Sequence, residues 1–217
     1  ILAADAADLS NPVDAVLWDA FLRPDEPVVF CTYEGVRATA RNAVEASLVA
    51  RIARLARAGM ADPVTGERYT AEAFRAHGRA VISPRRAQNS AILGELVAGG
   101  WPREELPVVD TVERMQGNER ELILVSYAVA DREYAEREAA FLLNPNRFNV
   151  SITRPRSKLI VLMSEDILRT VPQDEEVMTE STAIKGYPSH FAAPPRQIDY
   201  PAPGGKTVRL RVRTAGV

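Results

Sequence analysis

The sequence predicts an α/β fold, a mostly parallel sheet with helices on both faces, on three observations. Short apolar runs that read as buried strands alternate along the chain with longer stretches of helical apolar spacing. The intervening helices are long enough to serve as crossovers between parallel strands. With 217 residues, 46% of them hydrophobic, the chain can also bury a proper core.

Taken in order, Pro12 to Leu22 (PVDAVLWDAFL) has helical spacing, with Asn11 as N-cap and Pro12 at the first helical position. Pro27–Tyr33 (PVVFCTY) reads as a short buried strand, and Glu34–Arg41 as a polar loop. Asn42–Ala58 places Val44, Leu48, Val49, Ile52 and Leu55 on one helical face and is closed by Gly59. A Pro/Gly-containing excursion at 61–68 leads to a short helix near Thr70–His77. Arg79–Pro84 is the next strand, Ala87–Ala98 a helix ending at Gly99-Gly100, and Pro107–Val109 a brief strand. Glu121–Val129 (ELILVSYAV) is the strongest strand signal. Asn144–Ser157 reads as a helix, Lys158–Met163 as a strand and Glu165–Arg169 as a short helix.

Residues 1–25 therefore form a helical lead-in and residues 26–184 the main domain. Beyond them, residues 185–217 read as a Pro-rich arm or linker (GYPSHFAAPPRQIDYPAPGG) ending in a short basic strand. In that strand Val208, Leu210 and Val212 alternate with Arg209, Arg211 and Arg213. The arginines suit an edge strand whose charges discourage aggregation, or a nucleic-acid contact.

The formal net charge of −2 excludes a globally basic nucleic-acid coat, leaving local patches. Three lysines among 27 basic residues indicate an arginine-rich coding bias, so no single arginine carries weight by its presence. The lone Cys31 leaves no disulfide within the chain and fits a reducing compartment. The opening ILAADAADLS lacks a basic start and an apolar run of secretory length. The longest apolar stretch, Leu122–Ala130, is too short to span a bilayer. The expectation is a soluble, cytoplasmic protein without a membrane partner. A first residue of Ile rather than Met suggests a piece of a longer chain.

Several chemistries find no support. Tyr200–Thr207 (YPAPGGKT) ends like a phosphate-binding loop, but Tyr200 stands where the first glycine is needed and two prolines remove amide donors. The residues after it alternate like a strand, whereas such a loop opens a helix. The motifs HExxH, CxxC and GxSxG are absent, and His77 and His190 are the only histidines, so a histidine-based metal site or triad is not expected.

Three stretches point elsewhere. VISPRRAQ (Val81–Gln88) is a strand end passing into a helix; TVERMQGNERELILVSY (Thr111–Tyr127) is a polar turn feeding a strand; RFNVSITRPRSKLIVL (Arg147–Leu162) sets arginines before a strand. Together, in this order, they resemble motifs IV, V and VI of superfamily 1 helicases, in the branch of the nonsense-mediated-decay helicases. RNAVEASLVARIARLARAG (Arg41–Gly59) resembles the Asn-x-x-Glu-Ala helix that precedes motif IV there. The resemblance spans residues 26 to 170 or so.

What it implies is the second, C-terminal RecA-like domain of such a helicase, with a three-layer fold. ATP and Mg2+ would be held mainly by a first RecA-like domain of the same chain, the expected partner along with single-stranded DNA or RNA. By resemblance Arg154 is the arginine finger, with Arg156 the second choice and Arg147 a salt-bridging support. Gln116, Gly117 and Glu119 reach toward the nucleotide, joined by Arg41 and Glu45 of the preceding helix. Thr111, Ser83, Pro84, Arg86, Gln88 and Thr153 fall where the family touches the strand. Read without the resemblance, Glu119 is a solvated turn carboxylate, Thr111 a helix cap, and Arg86 and Gln88 part of a surface helix. The sequence departs from the family pattern at Pro155 (usually alanine), which restricts Thr153 and Arg154, and at Arg85 (usually aromatic), where a stacking role is lost. Ala43 and Ala130 stand where arginines are common. Lacking a phosphate-binding loop, the 217 residues are expected not to hydrolyse ATP alone; the alternative is a non-catalytic helicase-fold scaffold or binding module.

Overall fold

A computed structural model describes residues 2, 8–62, 65–67, 69–115 and 118–215. The first helix, α1 (Pro12–Phe21), starts where Asn11 Oδ1 accepts the Val13 N–H at 2.9 Å. Strand β1 (Val28–Tyr33) leads to α2 (Ala43–Gly59), whose N-cap Asn42 accepts from Val44 and Glu45, both at 3.1 Å. A three-residue helix, α3 (Ala71–Ala73), widens into a π-type turn over Phe74–Gly78 before β2 (Arg79–Ile82). Then come α4 (Arg86–Ala98), β3 (Val108–Asp110), β4 (Arg120–Ser126), α5 (Arg132–Arg137), α6 (Ala139–Leu142) and α7 (Pro145–Ile152). The chain ends with β5 (Pro155–Ser164), α8 (Glu165–Leu168), α9 (Glu175–Gly186), β6 (Arg196–Ala202) and β7 (Lys206–Ala215).

The seven strands form one sheet in the order β3-β2-β4-β5-β1-β7-β6. The first five are mutually parallel; β7 runs antiparallel to β1, and β6 antiparallel to β7. One face buries Leu17 and Phe21 of α1, Leu48 and Ile52 of α2, and Ile92 and Leu96 of α4. The other buries Leu142, Phe148, Ile167 and Ile184 from α6 to α9. Each such fully buried side chain contributes about 1.5–3 kcal/mol of apolar burial. Helices on both faces of a mostly parallel sheet give the three-layer α/β arrangement of a RecA-like fold.

Helices α5, α6 and α9 are not expected from the sequence, and three further segments differ from its reading. The strand expected through Val129 stops at Ser126, because the chain turns at Ala128, which has a φ of 65°. The helix expected through Ser157 stops at Ile152, and Pro155 already begins β5, as its restriction of the residue before it requires. In place of the expected loose arm, β6 and β7 of the described residues form a hairpin that extends the central sheet. Gly204 and Gly205, at φ 78° and 74°, supply the left-handed turn. Strand β7 lies inside the sheet, its Val208, Leu210 and Val212 joining the α1/α2 core, so β6 is the edge instead. Arg209 pairs with Asp199, Arg211 with Glu34 and Glu165, and Arg213 donates to Thr32, so the basic face is already engaged. Tyr200 is buried and bonded to Ser47, which agrees with rejecting the apparent phosphate loop. No helix among the described residues is long and apolar enough to cross a membrane.

Candidate functional site

The motif residues gather at two ends of the sheet. At the amino end, β4 and β5 begin side by side, with the Arg120 N–H donating to the Arg154 carbonyl at 3.2 Å. Helix α7 delivers Arg154 to this corner: Asn144 caps it and Pro145 starts it, while Phe148 anchors it in the core. The Thr153 hydroxyl donates to the Asn149 carbonyl at 2.7 Å and closes the last turn.

Three arginines stand at this corner. Arg156 Nε donates to Glu119 Oε2 at 3.0 Å, both side chains being about half exposed. Arg120 donates to the Glu119 carbonyl at 2.8 Å, and burial, then the nearby Arg156 charge, lowers its pKa. Arg154 has a buried Nε without an acceptor and makes no ion pair with a described residue. A half-buried cationic corner with one carboxylate can take an anion. Gln116 and Gly117 lie outside the described residues. Beneath the corner the buried Lys158 donates to the Arg23 and Glu26 carbonyls; burial pushes its amine down to about 8.

The carboxyl end, about 20 Å away along the seven residues of β4, is sealed. Glu45 is fully buried and accepts from the Tyr33 hydroxyl, the Ser126 hydroxyl and the Ala128 N–H. Burial raises its carboxyl to about 7, against the opposing pull of those three bonds. Gln88, also fully buried, accepts the Asn42 N–H at 2.7 Å and donates to the Asn42 carbonyl and the Ser126 hydroxyl. Asn42 in turn donates to the Tyr33 hydroxyl at 2.8 Å. Gln88 directly, and Glu45 through the Tyr33 hydroxyl, hold Asn42, and through it the start of α2. Ser83 is likewise buried, accepting from the Arg85 N–H.

What the carboxyl end exposes is Arg41, Arg86 and, in part, Pro84 and Thr111. The sequence-assigned nucleotide group is thus divided, with Glu119, Arg154 and Arg156 at one end and Arg41 and Glu45 at the other. Thr153 stands with the first group, its hydroxyl spent inside α7. Among the described residues no group of three or more His, Cys, Asp or Glu forms a metal site.

Sequence reasoning missed Arg120, although it sits inside the motif V stretch. It also missed the partners of Arg85, which lies over the rings of Tyr134 and Phe141 at 5.3 and 4.9 Å and pairs with Glu138 at 2.8 Å. Arg147 pairs with Glu113 at 3.2 Å, the supporting role expected of it, and lies over Phe141 at 4.0 Å.

Comparison with known proteins fits this geometry. Residues 5–166 match the family described as AAA domain. The chain is 30% identical over 159 residues to the DNA replication ATP-dependent helicase/nuclease JHS1 of Arabidopsis thaliana, covering 70% of this chain and 10% of that one. It is 32% identical over 120 residues to the helicase MOV-10 of Gallus gallus, covering 50% and 12%. With the DNA polymerase alpha-associated DNA helicase A of Saccharomyces cerevisiae it shares 34% identity over 93 residues, covering 41% and 12%. The chain spans about a tenth of the length of these relatives.

Proposed function

The chain belongs to the AAA-domain family among superfamily 1 helicases, in the nonsense-mediated-decay-like branch, and on that premise we propose that it is the second motor domain of an ATP-dependent helicase or translocase acting on single-stranded DNA or RNA. The observation that carries this reading is the corner around Arg154, where three arginines stand at the starts of β4 and β5, only Arg156 pairs with the carboxylate of Glu119, and the buried Arg154 Nε has no acceptor among the described residues. A rigid guanidinium is suited to spreading phosphoryl charge in a transition state.

In this reading Arg154 meets the γ-phosphate beside Arg156 and Glu119, and Gln116 and Gly117 of the same motif serve the nucleotide site. Arg41 offers a separate cation at the carboxyl end of the sheet, just before α2. Thr111, Pro84 and Arg86 hold the strand backbone, contacts that position it without reading its sequence. Glu45, Gln88 and Ser83 act beneath them as positioning residues. A first RecA-like domain supplies the phosphate loop and the carboxylates for Mg2+, and the cleft between the domains opens and closes with each turnover. The 217 residues alone do not hydrolyse ATP.

The test is strand-stimulated ATPase activity on a chain that includes the upstream domain, wild type against Arg154→Ala. A fall of about a hundredfold or more with nucleotide binding nearly intact is expected. Equal rates would remove Arg154 from the chemistry, and no activity in either protein would favour a scaffold.

A further inference from the structure

The surface beyond Thr111 carries an arrangement that the motifs do not account for. Where the resembled family has an aromatic residue, this chain has Arg85, but aromatic rings stand beside it, brought there by α5 and α6. Arg85 lies 4.9 Å and Arg147 4.0 Å from the centre of the Phe141 ring. Stacking against a ring fixes the plane of a guanidinium and limits the freedom it would lose on gripping a ligand.

These groups are continuous with the proposed strand contacts. The Glu113 carboxyl is held below its usual range, first by its own backbone N–H and then by Thr111, Arg147 and Arg86 beside it. Glu113 pairs with Arg147, Arg147 and Arg85 share Phe141, and Arg85 pairs with Glu138. A cleft of about 230 Å3, lined by Val112, Glu113, Asn144, Asn146, Arg147 and Val150, opens along the same surface. Both arginine forks thus face a partly exposed carboxylate, Glu138 at 36% and Glu113 at 54% side-chain exposure. The Arg147–Glu113 pair, open to solvent on both sides, adds little and exchanges readily, whereas Arg85 is 17% exposed and its pair is reached from the Glu138 side. A phosphate carries the same charge sign and can accept from the same guanidinium N–H groups.

We propose that Arg85 and Arg147, aligned by Phe141, are a second phosphate-binding ledge for the single strand, with Glu138 and Glu113 occupying the phosphate positions until the strand arrives. The proposal rests on the motor-domain reading above for its ligand, and extends the strand path from Thr111 and Arg86 across α6 and the start of α7. Phe141 is a positioning residue in it.

The experiment is equilibrium binding of a fluorescent homopolymeric single strand to the 217-residue chain over a salt series. Arg85→Gln and Arg147→Gln are each expected to weaken binding and to reduce the slope of log affinity against log salt by about 0.7, the release expected for one single-strand phosphate contact. Glu138→Gln should bind several-fold more tightly than wild type, because the fork it occupied is freed. A merely structural ion pair would not give that gain, and the gain remains readable should an arginine variant fail to fold, which thermal melting of each variant reports. Arg132→Gln, whose exposed side chain pairs with Glu136, should keep the wild-type slope. If Arg86→Gln weakens binding while Arg85→Gln and Arg147→Gln keep the slope and Glu138→Gln keeps the affinity, the ledge is overturned and the motor reading stands. An equal loss of slope in Arg132→Gln would also overturn it. No binding by the wild-type chain at low salt would overturn both.

Discussion

The two ends of this sheet spend polar residues in opposite ways. Beneath α2, the side chains of Tyr33, Asn42, Glu45, Gln88 and Ser126 and the Ala128 N–H are buried and bonded to one another. At the starts of β4 and β5, Arg120, Arg154 and Arg156 are partly exposed; Arg156 pairs with the Glu119 carboxylate, Arg120 donates to the Glu119 carbonyl, and the Arg154 Nε has no acceptor among the described residues. A sealed and satisfied network specifies geometry, whereas a half-open cationic corner with an unmet donor suits a ligand. An unmet donor alone is not enough. Arg79 is fully buried with no hydrogen bond from its guanidinium, yet it lies over the rings of Phe74 and Trp101 at 4.3 and 4.4 Å, and burial drives its pKa well down. Those rings account for it, and no candidate ligand site is needed there.

The largest effect that tests the contrast is on stability. Glu45→Ala leaves the Tyr33 and Ser126 hydroxyls and the Ala128 N–H without their acceptor, a loss of about 3 kcal/mol or more in chemical unfolding. Arg154→Ala, by contrast, should stay within about 0.5 kcal/mol of wild type. Comparable losses in the two variants would erase the distinction between the ends.

That distinction was only half legible in the sequence. Helix α2 declared itself through Asn42 and the spacing of Val44, Leu48 and Ile52, and β4 through its unbroken apolar run. Motif matching assigned Glu45 and Gln88 to a ligand, while the helical spacing already placed both on buried faces. Glu45 shares a stripe with Leu48, Val49 and Ile52, and Gln88 with Ala91 and Ile92, all of them buried. The hairpin of β6 and β7 was hidden by its prolines and glycines, which mark a linker and a tight turn alike. Helix α9 offered little periodicity, with only Ser181 and Ile184 buried along its length. The stacking of Arg85 on Phe141 is a tertiary contact that no local pattern announces.

A pH series sharpens the same contrast with a smaller effect. The Glu45 carboxyl, moved by burial from 4.5 to about 7, keeps its proton in the folded chain where the unfolded chain has released it. The folded state therefore binds the extra proton between those values. The resulting stabilisation is complete below about 4.5 and is lost as pH rises toward 7. Glu45→Gln cannot titrate, so the stability of wild type relative to this variant should fall with rising pH across that window and level off above it. A constant difference measured by urea unfolding would show that the buried carboxyl titrates normally.

The smallest effect concerns Arg156, and it decides which arginine of the corner does the work. Arg156 is paired with Glu119 in a contact open to solvent, so Arg156→Gln should leave thermal unfolding unchanged. In strand-stimulated ATPase assays its loss should stay within about tenfold, well short of the fall expected for Arg154→Ala. The reasoning is geometric: a guanidinium held by a carboxylate must first release it to meet a phosphate, whereas Arg154 has no described ion pair to break. If the order were reversed, Arg156 would be the finger. The unpaired Nε of Arg154 would then be a feature of how α7 joins β5, and the corner would have to open its Glu119 contact on binding nucleotide.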